Sequence, residues 1–485
     1  MITTIIIFLP LLGALFVSLL PGDERTVRAA ALAVAGVPLA LALYVYFAFG
    51  DNLGAAPLSQ DVAWIDALGI GYRVGLDGLG FGMFLLTALL TFLAVLASWQ
   101  ITTGLRQYFA LLFVAEVGML GVFAAQDLVL FYIFFELTLI PMYLMVGIWG
   151  DENRRPAALK FFIFTFFGST TMLAGFLALG ILGGTFSIPG LEGGAGLSAT
   201  AQIAIAAPVL LGLLVKVPAV PLHGWLLDVY TSSPTSTNVV LSGVLPKLGT
   251  IGLLKVALPL LPDGVAPYLP YIAAFGAVNV VYGAFAAFLQ TDLKALVAYS
   301  SIGTLGFILL GVGAANAVGL NGAVLQQVTH GIYSSLLFIL VGIFASRTGT
   351  RKISELGGLV GRMPWAAGLF AVGGLAAMGL PGFAVFVSEF MTIMGGYEAY
   401  PVQGFIAALG VLLGAIYLLY MMRNVIYGPI TKPAYNDLKD ASPVEMAAIL
   451  PLSLLLLVLG FFPALLVSVQ QPAVQSVVGL LGGGA

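Results

Sequence analysis

Apolar runs of roughly 20 residues follow one another along almost the whole chain, and this repeating length constrains the fold more than any motif. A helix of that length crosses about 30 Å of hydrocarbon. Only 8% of the 485 residues are charged, whereas a soluble domain needs roughly a quarter to cover its surface. The mean hydropathy of +1.09 agrees. The longest plausibly aqueous stretch, about Gly50 to Tyr72, is too short for a separate soluble domain. The first run, Ile2 to Leu20, lacks a basic leader and a small-residue cleavage site, so it reads as a retained helix. The expectation is a single all-α polytopic membrane domain.

Breaking the chain at polar and Gly/Pro clusters predicts about fourteen transmembrane helices. They run near 2–20, 29–49, 78–99, 107–125, 128–148, 159–183, 201–230, 236–260, 267–290, 295–315, 320–346, 364–397, 402–427 and 445–470. Basic residues test that count. Arg25, Arg106, Arg154, Lys294, Arg351 and Lys432, with most other basic residues, fall on or beside odd-numbered connections. Arg73 and Lys255 are the exceptions. The positive-inside rule then places the basic loops in the cytoplasm and both termini outside.

Five charges lie inside apolar spans: Glu116, Glu136, Lys216, Lys247 and Glu389. Each costs at least about 2.5–3.5 kcal/mol at the bilayer centre. Structural ion pairs could fix helix register, but that role does not need charges on five helices, whereas a relay does. His330 lies among Gln326, Gln327, Thr329 and Ser334, and His223 follows a helix break. Both suit proton transfer, and both could equally be hydrogen-bonded core residues. With two distant histidines and no cysteine, no metal, haem or iron–sulfur site is expected on this chain. No basic tail points to nucleic acid.

Span seven carries Pro218 and Pro221 just after Lys216, and span twelve carries Gly379, Pro381 and Gly382 just before Glu389. Proline removes a backbone donor, so both helices should kink or unwind near mid-membrane. The breaks are five helices apart, the mark of an internal repeat. The expected organisation is residues 1–106 (helices 1–3), a first five-helix repeat over 107–260, an inverted copy over 267–428, and helix 14 at 445–470.

The segment FYIFFELTLIPMYLMVGIWG (131–150) resembles the antiporter-like membrane subunits of respiratory complex I, the proton-pumping NADH:quinone oxidoreductase, and within them the chain M type. Further matches are GLDGLGFGMFLLTALL (75–90), HGWLLD with SPTSTNVVLSGVLPKLG (223–249), TDLKALVAYSSIG (291–303), LQQVTHG (325–331), ELGGLVGRMP (355–364) and LPGFAVFVSEF (380–390). The resemblance covers roughly 75–430. It implies a channel glutamate at Glu136, its paired lysine at Lys216, a central lysine at Lys247 and a distal residue at Glu389. It also implies a further functional glutamate at Glu116 and a histidine on the hydrated path at His330. Glutamate at 389 favours type M over types L and N. Two departures stand out. Gly303, Thr304 and Leu305 replace a usual Ser-His-Met, and Pro246 beside Lys247 is unusual.

The resemblance implies proton translocation in a bacterial inner membrane, beside L- and N-type antiporter-like chains and lipid. NADH, FMN, iron–sulfur clusters and quinone would be bound by other subunits. The alternatives are a subunit of a multi-subunit sodium/proton antiporter, a membrane subunit of an energy-converting hydrogenase or formate hydrogenlyase, and a structural spacer.

Overall fold

A computed structural model describes residues 1–54 and 56–482. Two outer helices, α1 (Ile2–Leu19) and α2 (Glu24–Phe49), lead to a hairpin of β1 (Gln60–Ile65) and β2 (Ile70–Val74). Next come α3 (Phe81–Leu96), α4 (Leu105–Ala124), α5 (Leu128–Leu137), α6 (Leu139–Trp149) and α7 (Arg154–Gly183). After short α8 (Ile188–Leu191) and α9 (Ala199–Lys216), the chain unwinds before α10 (Leu226–Ser232). Span eight comprises α11 (Thr235–Gly243), α12 (Leu245–Gly252), a π-turn over Leu253–Ala257 and α13 (Leu258–Leu260). A turn of helix, α14 (Pro262–Val265), precedes α15 (Leu269–Phe288), α16 (Leu293–Ala314) and the 32-residue α17 (Ala317–Thr348). Span twelve is α18 (Pro364–Ala377) and α19 (Ala384–Ala399). It is followed by α20 (Pro401–Val425), α21 (Pro443–Phe461) and α22 (Ala464–Leu480).

Among the described residues thirteen helices are long and apolar enough to cross a membrane, and the interrupted α18–α19 unit makes the fourteenth crossing. One boundary needs correction. The span expected over 445–470 ends at Phe461, and Pro463 starts a separate helix, α22. The all-α expectation also gains the β-hairpin, which occupies part of the polar stretch before α3.

Helix starts follow from local chemistry. Asp23, Asp127, Ser198, Asp292, Asn316 and Ser442 each accept an amide hydrogen from the first turn of the helix they begin. At Ser442 the cap is reciprocal, because Glu445 accepts from the Ser442 amide. Packing depends on small residues, as expected where lipid supplies no hydrophobic drive between helices. An added Cβ at Gly276 would meet the Gly306 carbonyl at 2.7 Å, and one at Gly283 would meet the Gly303 amide at 2.5 Å, so α15 and α16 touch backbone to backbone. Every residue of α11 is buried, as is α17 from Gly319 to Phe344. These helices form the centre, and outer helices such as α1, α2, α7 and α20 expose Phe16, Phe47, Phe167 and Phe405.

The odd-numbered connections gather at one end. There Arg351 pairs with Asp151 at 2.6 Å and Asp292 at 3.0 Å, Arg347 pairs with Glu445, and Arg106 donates to the Gly22 carbonyl. The even-numbered connections meet at the other end. The two basic exceptions lie there, each against acid. Arg73 contacts Asp61 and Asp127, and Lys255 reaches Asp77 at 2.7 Å. Gln470 of α22 closes this end by donating to the Asn321 carbonyl at 2.7 Å.

Candidate functional site

The two expected breaks are present, at residues 217–225 and 378–383. In the first, α9 ends on Lys216 itself. Trp225 donates its indole N–H to the Val215 carbonyl at 3.0 Å, covering an orphaned carbonyl of the last turn. Asn279 of α15 staples the unwound strand: its oxygen accepts from the Val220 amide at 2.8 Å, and its amide donates to the Pro218 carbonyl. Unwound backbone is tolerated at this depth because residues 217–219 are buried and Asn279 bonds the freed Val220 amide and Pro218 carbonyl. In the second break, Gly379 has φ +68°, a left-handed conformation that favours glycine.

Two further interruptions escaped the sequence reading. The glutamate helix stops one residue beyond Glu136, at Leu137, and resumes as α6. Span eight is broken at Val244, before Lys247.

The breaks place charges at helix ends in the interior. Lys216 is 2% exposed, its ammonium 4.8 Å from the centroid of Phe135 and 5.7 Å from that of Phe161. Glu136 follows Phe135 directly on α5, but among the described residues no carboxylate lies within 4 Å of the Lys216 ammonium. Lys247 is fully buried and donates to the Ser242 carbonyl at 2.6 Å. The helices bearing the two lysines meet where an added Cβ on Gly249 would lie 3.1 Å from the Lys216 Cβ.

From Lys247 a polar chain crosses the centre. The Thr250 hydroxyl contacts the Lys247 backbone carbonyl at 3.1 Å and donates to Gln327 Oε1 of α17 at 2.6 Å. One residue away, Gln326 donates to Glu389 Oε1 at 3.5 Å and accepts from Ser388, which also contacts Thr329 at 3.0 Å. His330 lies on the same helix, fully buried, with both ring nitrogens free of protein partners among the described residues. Its ring meets Tyr333 edge-on at 5.2 Å.

Hydroxyls also gather around residues 300–304. Thr304 bonds Tyr333, and Tyr417 donates to Ser300 at 2.9 Å. A cavity of about 20 Å³ borders Glu389, Ser300, Thr304 and Tyr417, enough for a single water molecule. Tyr333, Tyr417, Ser388 and Thr250 are not legible as candidates in the sequence. A tyrosine or serine in an apolar run gives no signal of its own.

Two candidates stand apart. Glu116 is completely buried on α4, and neither carboxylate oxygen has a partner among the described residues. His223 is half-buried at the rim of the first break, where Nε2 contacts the Tyr282 hydroxyl at 2.9 Å. Neither joins the chain from Lys247 to Glu389. Among the described residues, no group of three or more His, Asp or Glu could hold a metal ion.

A family model described as "NADH:quinone oxidoreductase/Mrp antiporter, TM" matches residues 125–416. The chain is 36% identical over 492 residues to NADH-quinone oxidoreductase subunit M of Rhodobacter capsulatus, covering 98% of this chain and 96% of that one. It is 38% identical to NAD(P)H-quinone oxidoreductase chain 4 1 of a Synechococcus strain, covering 95% and 89%. Among solved structures, a chain of respiratory complex I from Thermus thermophilus with bound NADH superposes with TM-score 0.92 at 31% identity, over the full length of both chains. A chain of the Mrp complex from Dietzia matches at TM-score 0.87 and 22% identity, a likeness of fold. The chain belongs to the antiporter-like family of membrane subunits of NADH:quinone oxidoreductase, and within it to the subunit M type.

Proposed function

We propose that this chain translocates protons as a membrane-arm subunit of a respiratory NADH:quinone oxidoreductase, through the buried series Glu136, Lys216, Lys247, His330 and Glu389. NADH, flavin, iron–sulfur and quinone chemistry belongs to other subunits, and L- and N-type antiporter-like chains are the expected neighbours. The basic loops face the cytoplasm and both termini lie outside, following the positive-inside rule.

The observation that carries this reading is the buried polar run along α17: Thr250, whose hydroxyl contacts the Lys247 backbone carbonyl, bonds Gln327, and the adjacent Gln326, not itself bonded to Gln327, bonds Ser388 and Glu389. A structural ion pair has no need of such a run. Glu136 and Lys216 supply the input pair: a protonation change there alters the charge felt by Lys247 across the close α9–α12 contact. In low dielectric such coupling reaches a few kcal/mol over several ångströms. In this reading the two five-helix units, 107–260 and 267–428, are inverted copies in which broken spans seven and twelve correspond, with Lys216 and Glu389 at equivalent positions. Glu116 sits outside this polar run and acts, in this reading, near the input pair.

The test is substitution in the assembled complex. Lys216→Met and Glu136→Gln should each strongly depress proton pumping and the quinone reduction coupled to it. Parental pumping in either variant sinks the scheme.

A further inference from the structure

Span eight has the length of one helix, yet it is interrupted between Gly243 and Leu245, just ahead of the central lysine. In an unbroken helix the Ser242 carbonyl would accept the amide hydrogen of residue 246. Residue 246 is proline, which has none. The Ser242 carbonyl therefore lacks its helical donor, and it accepts from Lys247 Nζ at 2.6 Å instead. The reach is natural, because helical side chains tilt back toward the N-terminal end of their helix.

The neighbouring carbonyls of the same turn face other elements. That of Leu241 accepts from the Tyr230 hydroxyl at 3.2 Å. That of Gly243 lies against α17, where a Cβ added to Gly331 would come within 2.7 Å of it. Lys247 is completely buried, and among the described residues no carboxylate pairs with it. Its ammonium is held by a backbone oxygen that a proline has released.

We propose that Pro246 is a positioning residue for Lys247: by withholding an amide hydrogen it keeps the Ser242 carbonyl open as the seat of the ammonium. The inference rests on the relay reading above. A charged donor on a carbonyl makes a shorter and stronger bond than an amide does. Any other residue at 246 supplies a competing N–H inside the helix. The lysine would then lose its seat and its alignment with Thr250 and Gln327.

In the assembled complex, Pro246→Ala and Pro246→Gly should each slow proton pumping about tenfold, the equivalent of one charge-assisted hydrogen bond. The pH of half-maximal pumping should move by about half a unit or more. Assembly, read as NADH oxidation with an artificial electron acceptor, should stay at the parental level. Glycine tolerates the bend, so a proline that merely shapes the kink would leave Pro246→Gly with parental rate and pH profile, and that result overturns the proposal. If neither variant assembles, cryo-EM of the parental complex decides. Density joining the Lys247 side chain to the Ser242 carbonyl is expected, and a side chain turned elsewhere overturns the proposal. Lys247→Met separates the two levels. Loss of pumping there with parental pumping in both proline variants removes this proposal and leaves the relay. Parental pumping in Lys247→Met removes both.

Discussion

Gly379 offers a sharp test of how Glu389 is held. It sits in the break of span twelve with φ +68°, and an added Cβ would lie 2.8 Å from Glu389 Oε2. Alanine there meets two penalties. The left-handed backbone costs an L-residue about 1–2 kcal/mol. The methyl is also about 0.6 Å short of ordinary contact, which begins at 3.4 Å. The carboxylate must retreat by that distance, and its bond from Gln326 is already 3.5 Å long. A misplacement of 1 Å can cost a factor of about 100 in a positioned reaction, so roughly tenfold slower pumping is the expected result. The assay is dye quenching in inverted vesicles containing the assembled complex, normalised to NADH oxidation with an artificial acceptor. Gly368→Ala is the control: an added Cβ meets nothing within 4 Å there, and helix propensity favours alanine by about 0.5–1 kcal/mol. Parental pumping in Gly379→Ala would refute the idea that the break sets the carboxylate's position.

Asn279→Ala should leave the Val220 amide and Pro218 carbonyl without their partner and destabilise the subunit by about 1–3 kcal/mol. A thermal midpoint in detergent equal to the parent's would show that the staple is dispensable. Sidedness is open to direct chemistry because the chain has no cysteine. Asn52→Cys should react with an impermeant maleimide only from outside the cell, and Asp437→Cys only from the cytoplasmic side; the reverse pattern would invert the topology.

Much of this architecture was readable as residues. The apolar run lengths marked the crossings, and the basic loops marked which connections share an end, because both are set by the cost of charge in hydrocarbon. The breaks at Lys216 and Glu389 were visible through Pro218, Pro221, Pro381 and two glycines. The breaks at Thr138 and Val244 were not, because the chain stays apolar through them and a hydropathy window averages over a single turn. Pro246 was noticed for its rarity, but its effect lies on a carbonyl four residues upstream that only the fold reveals. Asn279 is a single amide in an apolar run with nothing local to mark it, and its importance depends on a partner 59 residues away. Tyr333 and Tyr417 were silent for the same reason. Pro463 could have separated α22, but the apolar run on either side masked it.

Gln326 and Gln327 are adjacent on α17, about 100° apart around the axis and 1.5 Å apart along it. One is bonded toward Glu389 and the other toward Thr250 below Lys247. A roll or slide of this single rod therefore cannot adjust one contact and spare the other. The lysine side and the glutamate side share one mechanical degree of freedom, like two gears cut on the same shaft. Any neighbour that pushes on α17 is then felt at both stations in the same stroke, without a signal having to pass from one to the other.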